Sequence, residues 1–320
     1  MHEGKMQRSQ LILTKDGRYL HTDLKKEDGL PKNILIMGPA GRVDLTSSRF
    51  DEITFRHRNK ERPEFYTVAG TYKQTPVAAM SIGISMGPME IAVTELHALF
   101  EYDPASDSWT NDRPKVNIIR VGTCGTSLPD IPVGVLAISD YAIGLDNLGA
   151  YYPPTYRSRV LFKAREIEEK FRKTLLGIIN PLSYCSVASF CVVDQLSLSA
   201  RRLGETDASL ISGITTASPG FFGPEGREIG RIRPSFGPEK FMRVVQSFNV
   251  DGSRIINHEM ETSVLFRIGY EHLGYNVGAI CLVLDNLATD EIIGDEKIEK
   301  ERMNVCIQTA LGSLVALSKK

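Results

Sequence analysis

The chain has 320 residues, with 38 Lys+Arg set against 39 Asp+Glu for a formal net charge of −1. That balance argues against a nucleic-acid binder, whose phosphate contacts need a clustered excess of basic side chains. The composition, 42% hydrophobic and 24% charged, is that of a globular chain rather than a disordered one.

Taken in chain order, the amino terminus is charged and lacks an apolar signal region. Short apolar runs follow at 34–37, 76–82, 116–121, 133–138 and 277–284, most of them closing on glycine or a polar residue. Near-continuous runs of this kind predict strands buried on both faces of a sheet. Between them, 89–100 puts Ala92, Val93, Leu96 and Leu99 on one stripe, and 158–179, 259–273 and 301–317 repeat the helical spacing. Strand alternating with helix predicts an α/β domain, three-layer α-β-α around a central mixed β-sheet. The polar stretch 103–114 reads as a surface loop, and 218–234 (SPGFFGPEGREIGRIRP) as a loop covering a ligand. The expected division is an N-terminal extension at 1–20, then a single domain over 21–320 with an insert around 181–212.

Five scattered cysteines (Cys124, Cys185, Cys191, Cys281, Cys306) form no C-x-x-C pair, and the six histidines show no zinc spacing. No apolar run approaches the 18 or so residues of a membrane span. A cytoplasmic protein with no metal and neither a nucleic-acid nor a membrane partner is expected.

Four strings carry chemistry. In 118–126 (IIRVGTCGT), Arg120 sits inside an apolar strand and precedes a Gly/Thr turn. A buried arginine needs either a carboxylate partner or an anionic ligand, and both readings stand. Gly38 to Arg42 repeats the Gly-plus-Arg theme after the first strand. The run 257–262 (NHEMET) opens a helical pattern, so its acids suit a helix N-terminus, or Glu261 accepts hydrogen bonds from a sugar diol. Gly83-Ile84-Ser85-Met86-Gly87 matches G-x-S-x-G, which leaves a serine hydrolase with Ser85 and His258 or His272 as an alternative.

Together, Gly38-x-x-x-Arg42, the turn at 83–88 followed by IAVTEL, IIRVGTCGT, FFGPEGR at 221–227 and Glu259-Met260-Glu261-Thr262 resemble the nucleoside phosphorylase family, in particular its uridine phosphorylases. The resemblance implies reversible phosphorolysis of a nucleoside to free base and ribose 1-phosphate, with inorganic phosphate as co-substrate and no cofactor. It assigns phosphate to Gly38, Arg42, Arg120 and Thr123, and the ribose to Glu259, Met260 and Glu261. It assigns the base to Phe221, Glu225, Arg227 and Asp285. His21 would reach the sugar of a neighbouring subunit, so a homodimer, alone or assembled into a hexamer of dimers, is implied. Arg120, Arg227 and Glu261 would carry catalysis.

Three positions depart from that family. The arginine the family borrows from a neighbouring subunit aligns with Pro63, beside Arg62, which would have to substitute. Glu64 matches a carboxylate that holds an interface cation in some relatives, but the accompanying serine is Pro88 here. Glu225 stands where uridine phosphorylases have glutamine, and Asp285 where they have asparagine. An ionised glutamate cannot donate to a uracil oxygen, whereas it suits the N–H groups of guanine. Uridine phosphorylase is therefore the leading expectation, with a purine (guanosine or inosine) nucleoside phosphorylase as alternative and a non-catalytic nucleoside-binding relative as a further one.

Overall fold

A computed structural model describes residues 6–154 and 159–319. The first five residues of the expected extension and the start of the helix expected at 158 lie outside the described residues. The strands are β1 (Asn33–Met37), β2 (Glu52–Arg58), β3 (Tyr66–Tyr72), β4 (Thr75–Ser81), β5 (Tyr102–Asp103), β6 (Ser108–Trp109) and β7 (Asn117–Thr126). They continue with β8 (Leu136–Gly144), β9 (Tyr184–Val187), β10 (Leu210–Ala217), β11 (Asn249–Val250), β12 (Ser253–Glu259), β13 (Asn276–Asn286) and β14 (Glu291–Ile292). The helices are α1 (Ala40–Ser47), α2 (Met86–Glu101), α3 (Leu148–Tyr151), α4 (Arg159–Phe171), α5 (Leu175–Ile179), α6 (Phe190–Arg202), α7 (Pro238–Ser247), α8 (Thr262–Val264) and α9 (Glu296–Ser318). A π-helical run, Leu265–His272, continues α8.

The main sheet runs β11-β12-β10-β8-β13-β7-β1-β4-β3-β2. Its centre is parallel through β13, β7, β1 and β4, while β8 joins β13 antiparallel, so the sheet is mixed as expected. Alternate residues of the central strands feed two cores. Ile34, Ile36, Ile118 and Val277 pack with α2 and the π-helical run. Leu35, Met37, Ile119 and Ile280 pack with α1, α6 and α9. A third core lies under α4, α5 and α7. Helices on both faces make the α-β-α layering, which is the burial solution for strands apolar on both sides.

Local signals account for the element ends. Asp295 caps α9 by accepting from Lys297 N at 2.8 Å, with Glu296 and Glu299 in the first turn where the helix dipole favours them. Thr174 caps α5 by accepting from Gly177 N at 3.2 Å, which splits the single helix expected over 158–179. The loop expected at 103–114 holds a small β5–β6 hairpin. The stretch 181–212, expected as an insert, supplies β9, α6 and the start of β10, all integral to the sheet and its helical cover. The extension expected at 1–20 is docked in its described part, where Leu13 bridges Tyr19 and Tyr19 is buried in the first core.

Two features build the site. The sheet curls so that β12 pairs with β10 and also meets β7 antiparallel at His258 opposite Gly125. Residues 257–259, expected to open a helix, are therefore the end of β12. In β13 the register shifts between Val283 and Asp285, a bulge of the kind that re-aims a side chain.

Candidate active site

The carboxyl ends of β1, β7, β12 and β13 converge on a cavity of about 730 Å³. Open α/β sheets place ligands there because the strand ends leave backbone groups and loop side chains facing one crevice. Of the residues expected to bind phosphate, Gly38, Arg42, Arg120 and Thr123 all line it. So do Glu259, Met260 and Glu261 of the sugar group, and Phe221, Glu225 and Asp285 of the base group.

Arg120, 7% exposed, settles its two readings by being both paired and on the cavity wall. Its Nη2 forms an ion pair with Glu259 Oε2 at 2.9 Å and donates to Glu261 Oε2, and Nη1 donates to Cys281 Sγ at 2.9 Å. Burial opposes its charge, but Glu259 and Glu261 outweigh burial and hold its pKa well above the ordinary value. Arg42 donates to Val121 O at 3.1 Å. Burial lowers its pKa, and the like charge of Arg120 adds to the lowering, so the two guanidiniums crowd the same end of the cavity. An anion between them would relieve that repulsion.

The acids at the end of β12 have separate tasks. Glu259 accepts from Glu261 N at 2.9 Å and Thr262 N at 3.0 Å, so it caps α8 and orients Arg120 together. Burial raises its pKa. Glu261 Oε1 accepts from Ser85 N at 2.7 Å. Each of its oxygens retains a lone pair for a hydroxyl donor. That bond explains the backbone at Ser85, whose φ of 98° is unfavourable for any side chain. Ser85 Oγ has no hydrogen-bond partner among the described residues, and the ring of His258 faces Glu225 instead. His272, the other candidate, packs edge-on against Tyr152 and does not line the cavity, so the nucleophile-elbow reading has neither histidine beside Ser85.

Glu225 is 1% exposed, at the end of the 3₁₀ turn Gly223–Glu225. Burial pushes its pKa up to about 7 against the pull of Arg227. Arg227 donates from Nε to Glu225 Oε2 at 3.0 Å and from Nη2 to Asp285 Oδ2 at 2.8 Å, with its guanidinium 4.3 Å from the Phe221 ring centre. Arg227 itself does not line the cavity, whereas Glu225 and Asp285, the two acids it holds, do.

Two more expected site residues lie outside the cavity of their own chain. His21 is held by Glu95, whose Oε1 lies 2.7 Å from its Nδ1. Arg62 is not on the wall; Arg58, at the end of β2, is, with its Nε donating to Pro63 O at 2.9 Å. Sequence reasoning misses Arg58 and places His258 only as a hydrolase base, not beside Glu225 on the cavity wall. Arg58 belongs to a polar edge strand with no glycine turn after it. His258 is 2% exposed, its two ring nitrogens make no hydrogen bond among the described residues, and burial pushes its pKa down to about 4. Only the strand assignment of 257–259 would have revealed it.

A family profile described as the phosphorylase superfamily matches residues 33–312. A uridine phosphorylase of Thermococcus kodakarensis is 27% identical over 282 residues, 87% of this chain and 81% of that protein. A Trypanosoma brucei nucleoside phosphorylase, whose crystal structure is described as showing uridine phosphorylase activity, superposes with a TM-score of 0.82 at 28% identity, covering 96% of this chain and 99% of that one. A purine nucleoside phosphorylase from Toxoplasma gondii, at 18% identity and a TM-score of 0.65, shares the fold over 94% of this chain and 97% of its own. With a profile spanning most of its length and the expected strings gathered on one cavity, the chain belongs to the phosphorylase superfamily, within which it resembles the uridine phosphorylases.

Proposed function

We propose that the protein is a nucleoside phosphorylase, a pentosyltransferase that converts uridine and phosphate to uracil and ribose 1-phosphate in nucleoside salvage and catabolism. The carrying observation is that Arg42 and Arg120, from two separate strand ends, line one cavity with Glu261 and Met260. Cleaving the glycosidic bond leaves positive charge on the sugar and negative charge on the base. Phosphate beside the arginines would face the first charge, and the Arg227 cation paired with Glu225 and Asp285 would offset the second. Glu261, fixed by the Ser85 amide and Arg120, would hold the ribose hydroxyls so that phosphate lies below the carbon it attacks. The side chains supply this charge stabilisation, so inorganic phosphate is co-substrate and neither cofactor nor metal is required.

Uridine is favoured by the two relatives at 27% and 28% identity, both described by uridine phosphorylase activity. A purine nucleoside remains the second reading, favoured by Glu225 and Asp285 on the wall. The proposed active unit is a dimer, supported by His21 lying outside its own cavity and by Ile84, 69% exposed, on the cavity wall. A cytoplasmic location fits the absence of a disulfide among the described residues. The test is to incubate the protein with uridine, thymidine, inosine and guanosine, with and without phosphate, and to quantify the released base. Phosphate-dependent release of uracil supports the proposal; binding without turnover would point to a non-catalytic relative.

A further inference from the structure

One part of the cavity wall is built from three elements around Glu225. Arg227 flanks it from the same loop, His258 and Glu259 approach from β12, and Asp285 comes from the β13 bulge. Glu225 Oε2 accepts from Arg227 Nε at 3.0 Å and lies 3.7 Å from His258 Nε2. Oε1 is the oxygen left over on a residue of the cavity wall. Gly125 lets these groups crowd together, since a Cβ there would lie 2.4 Å from His258 Nε2 and 2.9 Å from Asp285 Oδ1.

The geometry points to a proton on Glu225 Oε1 as the switch that decides which nucleobase edge the cavity accepts, so that base specificity changes with pH. This rests on the phosphorolysis proposed above and adds a specificity determinant to it. When protonated, the carboxyl presents an O–H donor and keeps an acceptor, the same pair that an amide offers, and it pairs with the carbonyl oxygen and N–H of a 2,4-dioxopyrimidine. When ionised it only accepts, which suits the adjacent N–H groups of a 2-amino-6-oxopurine. The wrong edge leaves a buried polar group unpaired, and that loss discriminates strongly.

The surroundings make the proton available near neutrality. Burial pushes the Glu225 carboxyl up to about 7, and Asp285 and Glu259 add like charge. Arg227 is the counter-charge, and Asp285 takes its Nη2. His258 adds no positive charge, because burial keeps its imidazole neutral.

The test measures kcat/KM for uridine and for guanosine from pH 5.5 to 8.5 at saturating phosphate, with the full chain and with Glu225→Gln. Phosphate's own titration acts on both substrates and cancels in their ratio. The expected uridine-to-guanosine ratio falls at least about tenfold between pH 6 and pH 8 in the unaltered protein, as one titrating proton allows. In Glu225→Gln the ratio is high and flat. A flat ratio in the unaltered protein, guanosine inert at every pH, or an undiminished slope in Glu225→Gln would overturn the inference while leaving phosphorolysis standing. Absence of phosphate-dependent base release from every nucleoside would overturn both. If Glu225→Gln does not fold, the slope of the unaltered protein decides alone.

Discussion

Arg120 Nη2 donates to Glu261 Oε2, so the side chain proposed to grip phosphate is tied to the one proposed to hold the ribose. One rigid pair thus sets the distance between nucleophile and sugar. Arg120→Ala should lower kcat/KM by about 10²–10³-fold, as loss of a preorganised donor does. Combined with Glu261→Ala, it should cost much less than the sum of the single changes, with a coupling on the order of 1–3 kcal/mol. Steady-state kinetics of the four proteins check this; additive losses would separate the two roles.

Gly122 should behave as part of the same device. A Cβ there would stand 2.0 Å from Arg120 Nη1, and the guanidinium cannot yield freely because Glu259 and Glu261 hold its other side. Gly122→Ala is expected to reproduce most of the activity loss of Arg120→Ala and to lower Tm as well, since a buried charge pair is disturbed.

Ser85→Ala should retain phosphorolysis within a few-fold, because the bond to Glu261 is made by the amide and not by the hydroxyl. Ester hydrolysis that vanishes in this variant would restore the hydrolase reading.

The sequence made the central strands and long helices legible because continuous apolar runs and 3.6-residue stripes survive without tertiary information. Residues 52–58 escaped notice because β2 is a polar edge strand, and 253–259 because β12 runs straight into α8. The arginine pair and Glu261 were readable from residue type and glycine context. Arg227 was readable as a base-side cation, but its pairing with Glu225 and Asp285 depends on the β13 bulge. His258 reaches the cavity only because the sheet curls to set β12 against β7, a contact between residues 133 positions apart that no local pattern encodes.

Stability should follow pH through a pair far from the site. Arg302 donates to both oxygens of Glu205 at 2.7 Å and to Gly134 O at 2.7 Å, fastening α9 to the turn after α6 and to the approach to β8. The hydrogen bonds from Arg302 hold the Glu205 carboxyl below its ordinary range. Its contribution is therefore present above the unfolded carboxylate pKa and lost as pH falls through the folded one. Arg302→Ala should cost about 1–3 kcal/mol at pH 7, and the gap should narrow on acidification. Denaturant melts of both proteins at pH 7 and pH 3.5 read this out; a gap independent of pH would assign the loss to packing.

The central claim is that Arg42 and Arg120 capture the phosphate that attacks the sugar. The most direct measurement is uracil release from uridine as a function of phosphate concentration, in the unaltered protein and in Arg42→Ala. Release that requires phosphate, yields ribose 1-phosphate, and in Arg42→Ala needs about 10–100-fold more phosphate is the predicted result, matching one lost charge-assisted hydrogen bond. Equal release in phosphate-free buffer, or a phosphate dependence unmoved by Arg42→Ala, would contradict the account.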